Sequence, residues 1–427
     1  MFVKLNGMPY QNGRKMGLHS KNILKKRILQ VESIRKAGKV SSRTLSSRVK
    51  EFTSLLLKVS PHWLDEIKGQ SETSGLDMSS LVGLNCLPDG FFSNMSPGPV
   101  IDTSQNCSSF FLSEPSRNIL FKIRDEKNFP QSFLVLHSRG FYSSQAGRDI
   151  GNAGFAHFFN EKALAGANNT GSHTSHPTER PLFNDCHVMR YVSERAGSVR
   201  EIPGLIENLI EKKAMGGANG ERGAIFLFAD PVEGLLVECD SRDYTARFIS
   251  KGKYAVTNHY TTAKARKWES LPPGNNTLTR RKRLRDLLSK SGGILSPERV
   301  CEISRDTKNH PDSLCKRAGS AFFTTVSVQC QFIDRKNISG SINLVSCGNP
   351  LTSVFLPLAL PFERTFVPAL SGDYYMASEA AGLTGDEAGT SRVRHPGWEI
   401  SAFDRTGEAG ALWEEAYLML KRRNDIS

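Results

Sequence analysis

Residues 101–112 read IDTSQNCSSFFL, and their character changes at one position. A polar, turn-prone run leads up to Cys107. Directly behind it Ser-Ser-Phe-Phe-Leu reads as the start of a buried strand. The segment before the cysteine, Pro88 to Asn106 (PDGFFSNMSPGPVIDTSQN), is rich in Pro, Gly, Ser and Asn. Such a composition predicts an exposed loop, the kind of stretch that tolerates cleavage. A thiol therefore stands on the hinge between a loop and a sheet, a quarter of the way along the chain.

The two sides of that hinge differ. Residues 1–100 read as mainly helical, with candidates at Lys21–Lys39, Ser42–Lys58, Pro61–Glu72 and Met78–Leu84, and with Ser42 and Ser60 where N-caps belong. After Cys107 short apolar runs bounded by turns predict strands at Ser109–Leu112, Ile119–Ile123, Ser132–His137, Ala224–Phe228, Leu235–Glu238, Arg247–Ser250 and Tyr254–Thr257. Two more follow at Phe322–Phe332 and Ser341–Ser346. Helical patterns lie between these groups at Cys186–Ala196, Ile202–Lys213, Arg280–Lys290 and Pro297–Arg305, and a last one spans Ala409–Arg423. Hairpin groups of strands followed by helices predict an α+β fold with antiparallel sheets covered by helices.

Composition sets limits. The chain has 427 residues and a net charge of +13, with no apolar run long enough to span a membrane. The opening MFVKLNGMPYQNGRK lacks the apolar core of a secretory signal, so a cytoplasmic location is expected. Eight scattered cysteines without a C-x-x-C pair suggest neither a disulfide framework nor a zinc site. Residues 1–50 hold thirteen Lys and Arg against one acid, Glu32. Among those cations Ile23, Leu24, Ile28, Leu29, Val31 and Ile34 recur at helical spacing. A docked helix with a solvated basic face is the plain reading; a surface for nucleic acid or anionic lipid is the alternative.

Two polar residues flank the cysteine in the expected pairing. Asp125 ends the apolar run NILFKIRDE, so a hairpin returns it to the start of the cysteine strand, and Asn258 ends the strand that closes in VTNHY. A turn or cap role is open to both. Asn169, in Ala-Asn-Asn-Thr-Gly, reads as a turn former or a substrate contact. His173, His176, Asp185 and His187 could suggest a metal, but without a helical frame to aim them they read as polar loop. The run Arg280-Arg-Lys-Arg-Leu-Arg285 reads as a solvated helix face.

From these stretches the chain resembles the penicillin acyltransferase-type N-terminal-nucleophile (Ntn) hydrolases, which include isopenicillin N acyltransferase and linear-amide hydrolases. LNGMPYQNGRKMG is similar to the family's opening Gly-x-x-Tyr-x-x-Gly-x-x-x-Gly, and PHWLDEIKGQSETSGLDMSSLVGLN to its Glu-Ile-x-Gly segment. NCSSFFL resembles Gly-Cys-Thr-Ser-Phe, and Asp125 falls in the place of the acid in Arg-Asn-x-Asp. TNHY matches Thr-Asn-His, SLCKR resembles Ser-Ile-Cys-Arg, and LVSCGNP resembles the Gly-x-Pro near the end of the catalytic core. Asn106 replaces the usual glycine, Ser108 the threonine, and Lys122 and Ile123 the Arg-Asn pair.

The resemblance implies a four-layer αββα sandwich in three parts: a helical prosegment 1–106, a catalytic domain 107–370 and an extension 371–427. It implies cleavage between Asn106 and Cys107, after which the prosegment stays bound as a subunit. Cys107 is then the nucleophile. Its new α-amine, of ordinary pKa ~7.7–8.0, is the base. Asp125 orients the ammonium, Asn258 donates to the oxyanion, Asn169 contacts the substrate amide, and Arg317, or equally Lys316, pairs with Asp125. The implied substrate is an N-acyl amide or an acyl-CoA thioester, with neither metal nor cofactor. An uncleaved, inactive member of the fold and a basic binding protein using residues 1–50 are the rival expectations.

Overall fold

The computed structural model describes residues 2–37, 40–87, 107–126, 131–292, 294–317, 324–346, 348–351, 353 and 355–359. The expected helix at Ala409–Arg423 and the extension 371–427 lie outside them, as does Asn106.

The opening of the chain departs from its helical reading. Phe2–Gly7 form a strand, β1, and the first helix, α1 (Pro9–Lys36), begins at Pro9 rather than Lys21. Proline suits the first helical position, where its missing N–H costs nothing. There follow α2 (Ser42–Val59), α3 (Pro61–Ser74) and α4 (Met78–Cys86). Ser41 rather than Ser42 caps α2, accepting from the Thr44 N–H at 3.0 Å. Gly13 of the opening stretch and Gly69 of EIKG have one common cause. A Cβ at Gly13 would stand 1.9 Å from Glu66 O, and one at Gly69 would stand 2.1 Å from Tyr10 O. Only hydrogen fits where α1 crosses α3.

On α1, Met16, Leu24 and Val31 are buried while Lys21, Lys25 and Lys26 are exposed. The segment is a docked helix with a solvated basic face. Arg27 is the exception, buried and donating to Ile150 O at 3.1 Å. No helix among the described residues is long and apolar enough to cross a membrane.

Beyond Cys107 come β2 (Ser108–Ser113), β3 (Arg117–Glu126), β4 (Gln131–Ser138), β5 (Ser144–Asp149), β6 (His157–Asn160) and β7 (Ala165–His173). Helices α5 (Asp185–Arg195) and α6 (Ile202–Glu211) precede β8 (Arg222–Ala229), β9 (Gly234–Cys239), β10 (Tyr244–Ile249) and β11 (Gly252–Val256). Helices α7 (Asn275–Ser289) and α8 (Pro297–Ser304) precede β12 (Thr324–Asp334), β13 (Ile342–Ser346) and β14 (Leu356–Ala359). The strands make an eight-stranded sheet, β1-β4-β5-β6-β7-β8-β9-β10, and a six-stranded sheet, β11-β2-β3-β12-β13-β14. Neighbours pair antiparallel except β1 with β4, which run parallel.

Alternation along the strands builds the layers. Ile119, Phe121 and Ile123 of β3 pack with Phe110 and Leu112 against Leu284, Leu288 and Val300 of α7 and α8. Leu120 and Phe111, on the opposite face, meet Phe133, Phe159 and Leu227 of the larger sheet. The far side of that sheet, Leu134, Phe158 and Phe226, packs on Leu24, Phe52, Leu56 and Trp63 of the first helices. Helix, sheet, sheet, helix is the αββα order that the resemblance implies.

Candidate active site

Register brings the candidates to one end of the smaller sheet. Ser108 pairs with Ile123 and Ser109 with Val256, so the residues just beyond, Cys107, Asp125 and Asn258, converge there. Cys107 is 4% exposed. Its N–H donates to Asn258 Oδ1 at 3.0 Å, and its carbonyl accepts from Arg280 Nη1 at 2.6 Å. The main chain of this one residue is thus gripped on both sides by side chains from distant elements.

Arg280, in α7, also donates from Nη2 to Asn258 Oδ1 at 2.8 Å, from Nη1 to Ser108 Oγ at 3.0 Å and from Nε to Asn276 Oδ1 at 2.8 Å. It is fully buried, which corrects its reading as part of a solvated face. Burial lowers its pKa, while Asp125 and Cys107 act in the opposite direction. A signal for this was present: Arg280 stands four and eight residues before Leu284 and Leu288, on the buried stripe of its helix.

The Asn258 carboxamide is held from both ends. Two donors converge on its Oδ1, and its Nδ2 donates to Thr170 O at 2.9 Å. The carboxamide therefore presents its acceptor to the Cys107 nitrogen. Its own N–H donates to Thr277 Oγ1 of α7 at 2.8 Å, which fixes the strand end.

Asp125 is buried, and its Oδ1 accepts from Thr325 Oγ1 at 2.6 Å across a register shift in β12. Oδ2 has no partner among the described residues. Burial raises its pKa to about 6, against the pull of Lys316, Thr325, Arg280 and Lys122. Of the two cations offered for Asp125, Lys316 is the buried one and Arg317 is exposed, so the pairing assigned to Arg317 is corrected. The Lys316 Nζ donates to Pro311 O at 2.5 Å, and burial lowers its pKa against the pull of Asp125.

The sign of the Asp125 shift gives a test. An acid whose folded pKa lies above its free value of 3.8 adds stability that is complete below that value and is lost as pH rises through about 6. The urea midpoint at about pH 7, taken relative to that at about pH 4.5, should therefore be higher in a Cys107→Ala, Asp125→Asn chain than in Cys107→Ala alone. An unchanged difference would assign the buried acid elsewhere.

Asn169 is not a turn former. It lies within β7, 1% exposed. Its Oδ1 accepts from Lys122 Nζ at 2.8 Å and Ser109 Oγ at 2.9 Å, and its Nδ2 donates to Thr257 O at 2.9 Å. It ties the two sheets together beside the cysteine. Lys122, the other residue whose place here sequence reasoning missed, also donates to Asn168 O. The histidines are dispersed: His176 Nδ1 bonds Asp240 Oδ2 at 2.8 Å and His187 Nε2 bonds Asn85 Oδ1 at 3.3 Å. Among the described residues no three His, Cys, Asp or Glu side chains gather as they would around a metal ion.

No protein-family model matches the chain, and no curated protein matches its sequence. Among solved structures it is similar to two variants of the conjugated bile acid hydrolase from Clostridium perfringens. These show 14% and 13% identity, cover 60% of this chain and 93% and 94% of theirs, and have TM-scores of 0.40 and 0.42. It is also similar to the Caenorhabditis elegans ortholog of N-acylethanolamine-hydrolyzing acid amidase, at 11% identity over 52% of this chain and 92% of the other, with a TM-score of 0.36. Likeness at this level assigns no substrate.

Proposed function

We propose that this chain is an autoprocessing cysteine amide hydrolase of the Ntn type, or an acyltransferase of that type, with Cys107 as its nucleophile. The observation that carries the reading is the grip on Cys107. A cysteine within a strand satisfies its N–H and carbonyl on the ladder, whereas those of Cys107 are held by the side chains of Asn258 and Arg280. Maturation begins when Sγ attacks the Asn106 carbonyl carbon. The C–N bond breaks as the thioester forms, and water then releases the Asn106 carboxylate and a free Cys107 thiol and α-amine. The fragment 1–106 stays as a bound subunit.

The freed amine remains against Asn258 Oδ1 and takes the thiol proton, directly or through one water. Its ordinary pKa near working pH makes that transfer efficient. The thiolate attacks an N-acyl amide, the amine leaves with the proton held by the α-ammonium, and the acyl group rests on Cys107 as a thioester. Water completes hydrolysis; an amine acceptor completes acyl transfer. An acyl-CoA thioester can load the same sulfur. Arg280 holds the acceptor side of Asn258 toward Cys107 throughout, and Asp125 with its Thr325 bond steadies the ammonium.

Intact-mass measurement of the purified chain, followed by a panel of chromogenic N-acyl amides with and without added amines, tests this. The expected result is a large fragment beginning at Cys107 and turnover of at least one amide. A single uncut chain that hydrolyses no member of the panel would overturn it.

A further inference from the structure

Between the sheets, one strand away from Cys107, lies a polar patch that the reaction as described does not use. Ser109 pairs with Lys122, and Lys122 with Gln329, so these three share one face of the smaller sheet. The contacts of Lys122 with Asn168 and Asn169 show that this face looks into the inter-sheet layer. Ser327 follows two residues before Gln329 on the same face, opposite Arg124. His157 of β6 lies in the same layer on the larger sheet, beside Phe133 and with its ring over Gly147.

Four side-chain atoms here are buried without a hydrogen-bond partner among the described residues: Gln329 Oε1 and Nε2, Ser327 Oγ and His157 Nδ1. Gln329 is 0% exposed. Lys122 adds a buried ammonium that donates to two neutral acceptors, Asn168 O and Asn169 Oδ1, and makes no ion pair among the described residues. Arg124 next to it is different, matched by Asp149 at 2.9 Å and Glu126 at 3.2 Å. Unpaired polar groups are costly to bury, and here they gather on one side of the nucleophile.

We infer that Lys122, Gln329 and Ser327 form a subsite for a carboxylate on the substrate, close to the bond that Cys107 breaks. The inference rests on the amide-hydrolase reading and names its substrate class. The ammonium, the carboxamide NH2 and the hydroxyl are donors, and a carboxylate is the small acceptor that satisfies all three. Cys107 stands two residues from Ser109, about 7 Å along a strand. That reach suits a carboxylate a few bonds from the scissile carbonyl, on the amine side (an N-acyl amino acid) or on the acyl side (a dicarboxylic monoamide).

Matched pairs decide between these sources and test the subsite. With full-length protein, kcat/KM is measured for N-hexanoylglycine against N-hexanoylglycinamide, and for glutaryl p-nitroanilide against butyryl p-nitroanilide. In one pair the charged member should be preferred by about ten- to hundredfold, the worth of one or two charge-assisted hydrogen bonds. The preference should fall toward unity in Lys122→Met. In Gln329→Leu, which removes no charge, it should fall severalfold through KM. Neutral members turned over as well as charged ones by wild type, or a preference unchanged in both variants, would overturn the subsite and leave the hydrolase reading standing. An uncut chain inactive on all four compounds would overturn both.

Discussion

Replacing Cys107 by alanine is expected to leave one uncut chain of 427 residues and to lower N-acyl amide turnover by on the order of 10⁴-fold or more, as loss of a covalent nucleophile does. The variant should fold. Cys107 is small and buried, and the bonds that hold it run through its backbone N–H and carbonyl, which alanine keeps. Loss of both cleavage and turnover without loss of stability separates a reacting sulfur from a packing one. Cys107→Ser keeps an atom in the same place with a weaker nucleophile, so slow cleavage and residual turnover are expected there. Intact mass, urea midpoints and a single-substrate rate measurement together read the outcome. Normal cleavage in Cys107→Ala would remove the whole mechanism.

The second large effect concerns stability and lies away from the cysteine. Glu66 of α3 is buried between two guanidinium groups: Oε1 accepts from Arg148 at 3.1 Å and Oε2 from Arg190 at 2.7 Å. Burial alone would raise its pKa, but Arg190 and Arg148 hold it below the usual carboxylate range. Arg190 also reaches Glu194 at 2.7 Å, and Glu194 bonds His62 and Trp63 of α3 at 2.9 and 3.1 Å. This network joins the first helices to the body of the sandwich. Glu66→Ala strands the buried Arg148, takes from Arg190 one of its two carboxylates, and is expected to cost about 3–5 kcal/mol, read as a lower urea midpoint with unchanged slope. Glu66→Gln should cost less, because a carboxamide oxygen still accepts one bond. A loss within ~0.5 kcal/mol, the range of ordinary surface substitutions, would mean the network contributes nothing net.

What could be read from the sequence was what short range dictates. Asp125 and Asn258 were legible because a hairpin and a strand end carry them to the start of β2, and both facts follow from turns and alternation. Strands β5 to β7 were not, because SQAGRD, HFFN and AGANNTGSH are poor in the β-branched residues that mark a strand. Ala165 and Ala167 pack in the layer between the sheets, Ala146 packs on the helix side and Gly147 lies under the His157 ring, tertiary causes that no local pattern announces. Lys122 and Arg280 failed to stand out for a related reason. A cation in a basic run reads as solvated unless its neighbours at four and eight residues are weighed, and Lys122 is explained only by the carbonyl and amide of β7 that meet it. The opening strand β1 was missed because its one pairing partner, β4, lies some 130 residues further along, as in Leu5 with Leu136.

Under the proposed cleavage, that parallel pairing would bear on how the protein survives. Were the backbone cut after residue 106, a molecule that unfolded would have lost the tether between β1 and β4. Its two pieces would have to find one another in solution, so recovery would depend on concentration where the uncut chain needs only itself. Maturation would then be a one-way passage, and the finished enzyme would endure by the slowness of its unfolding rather than by its ability to refold.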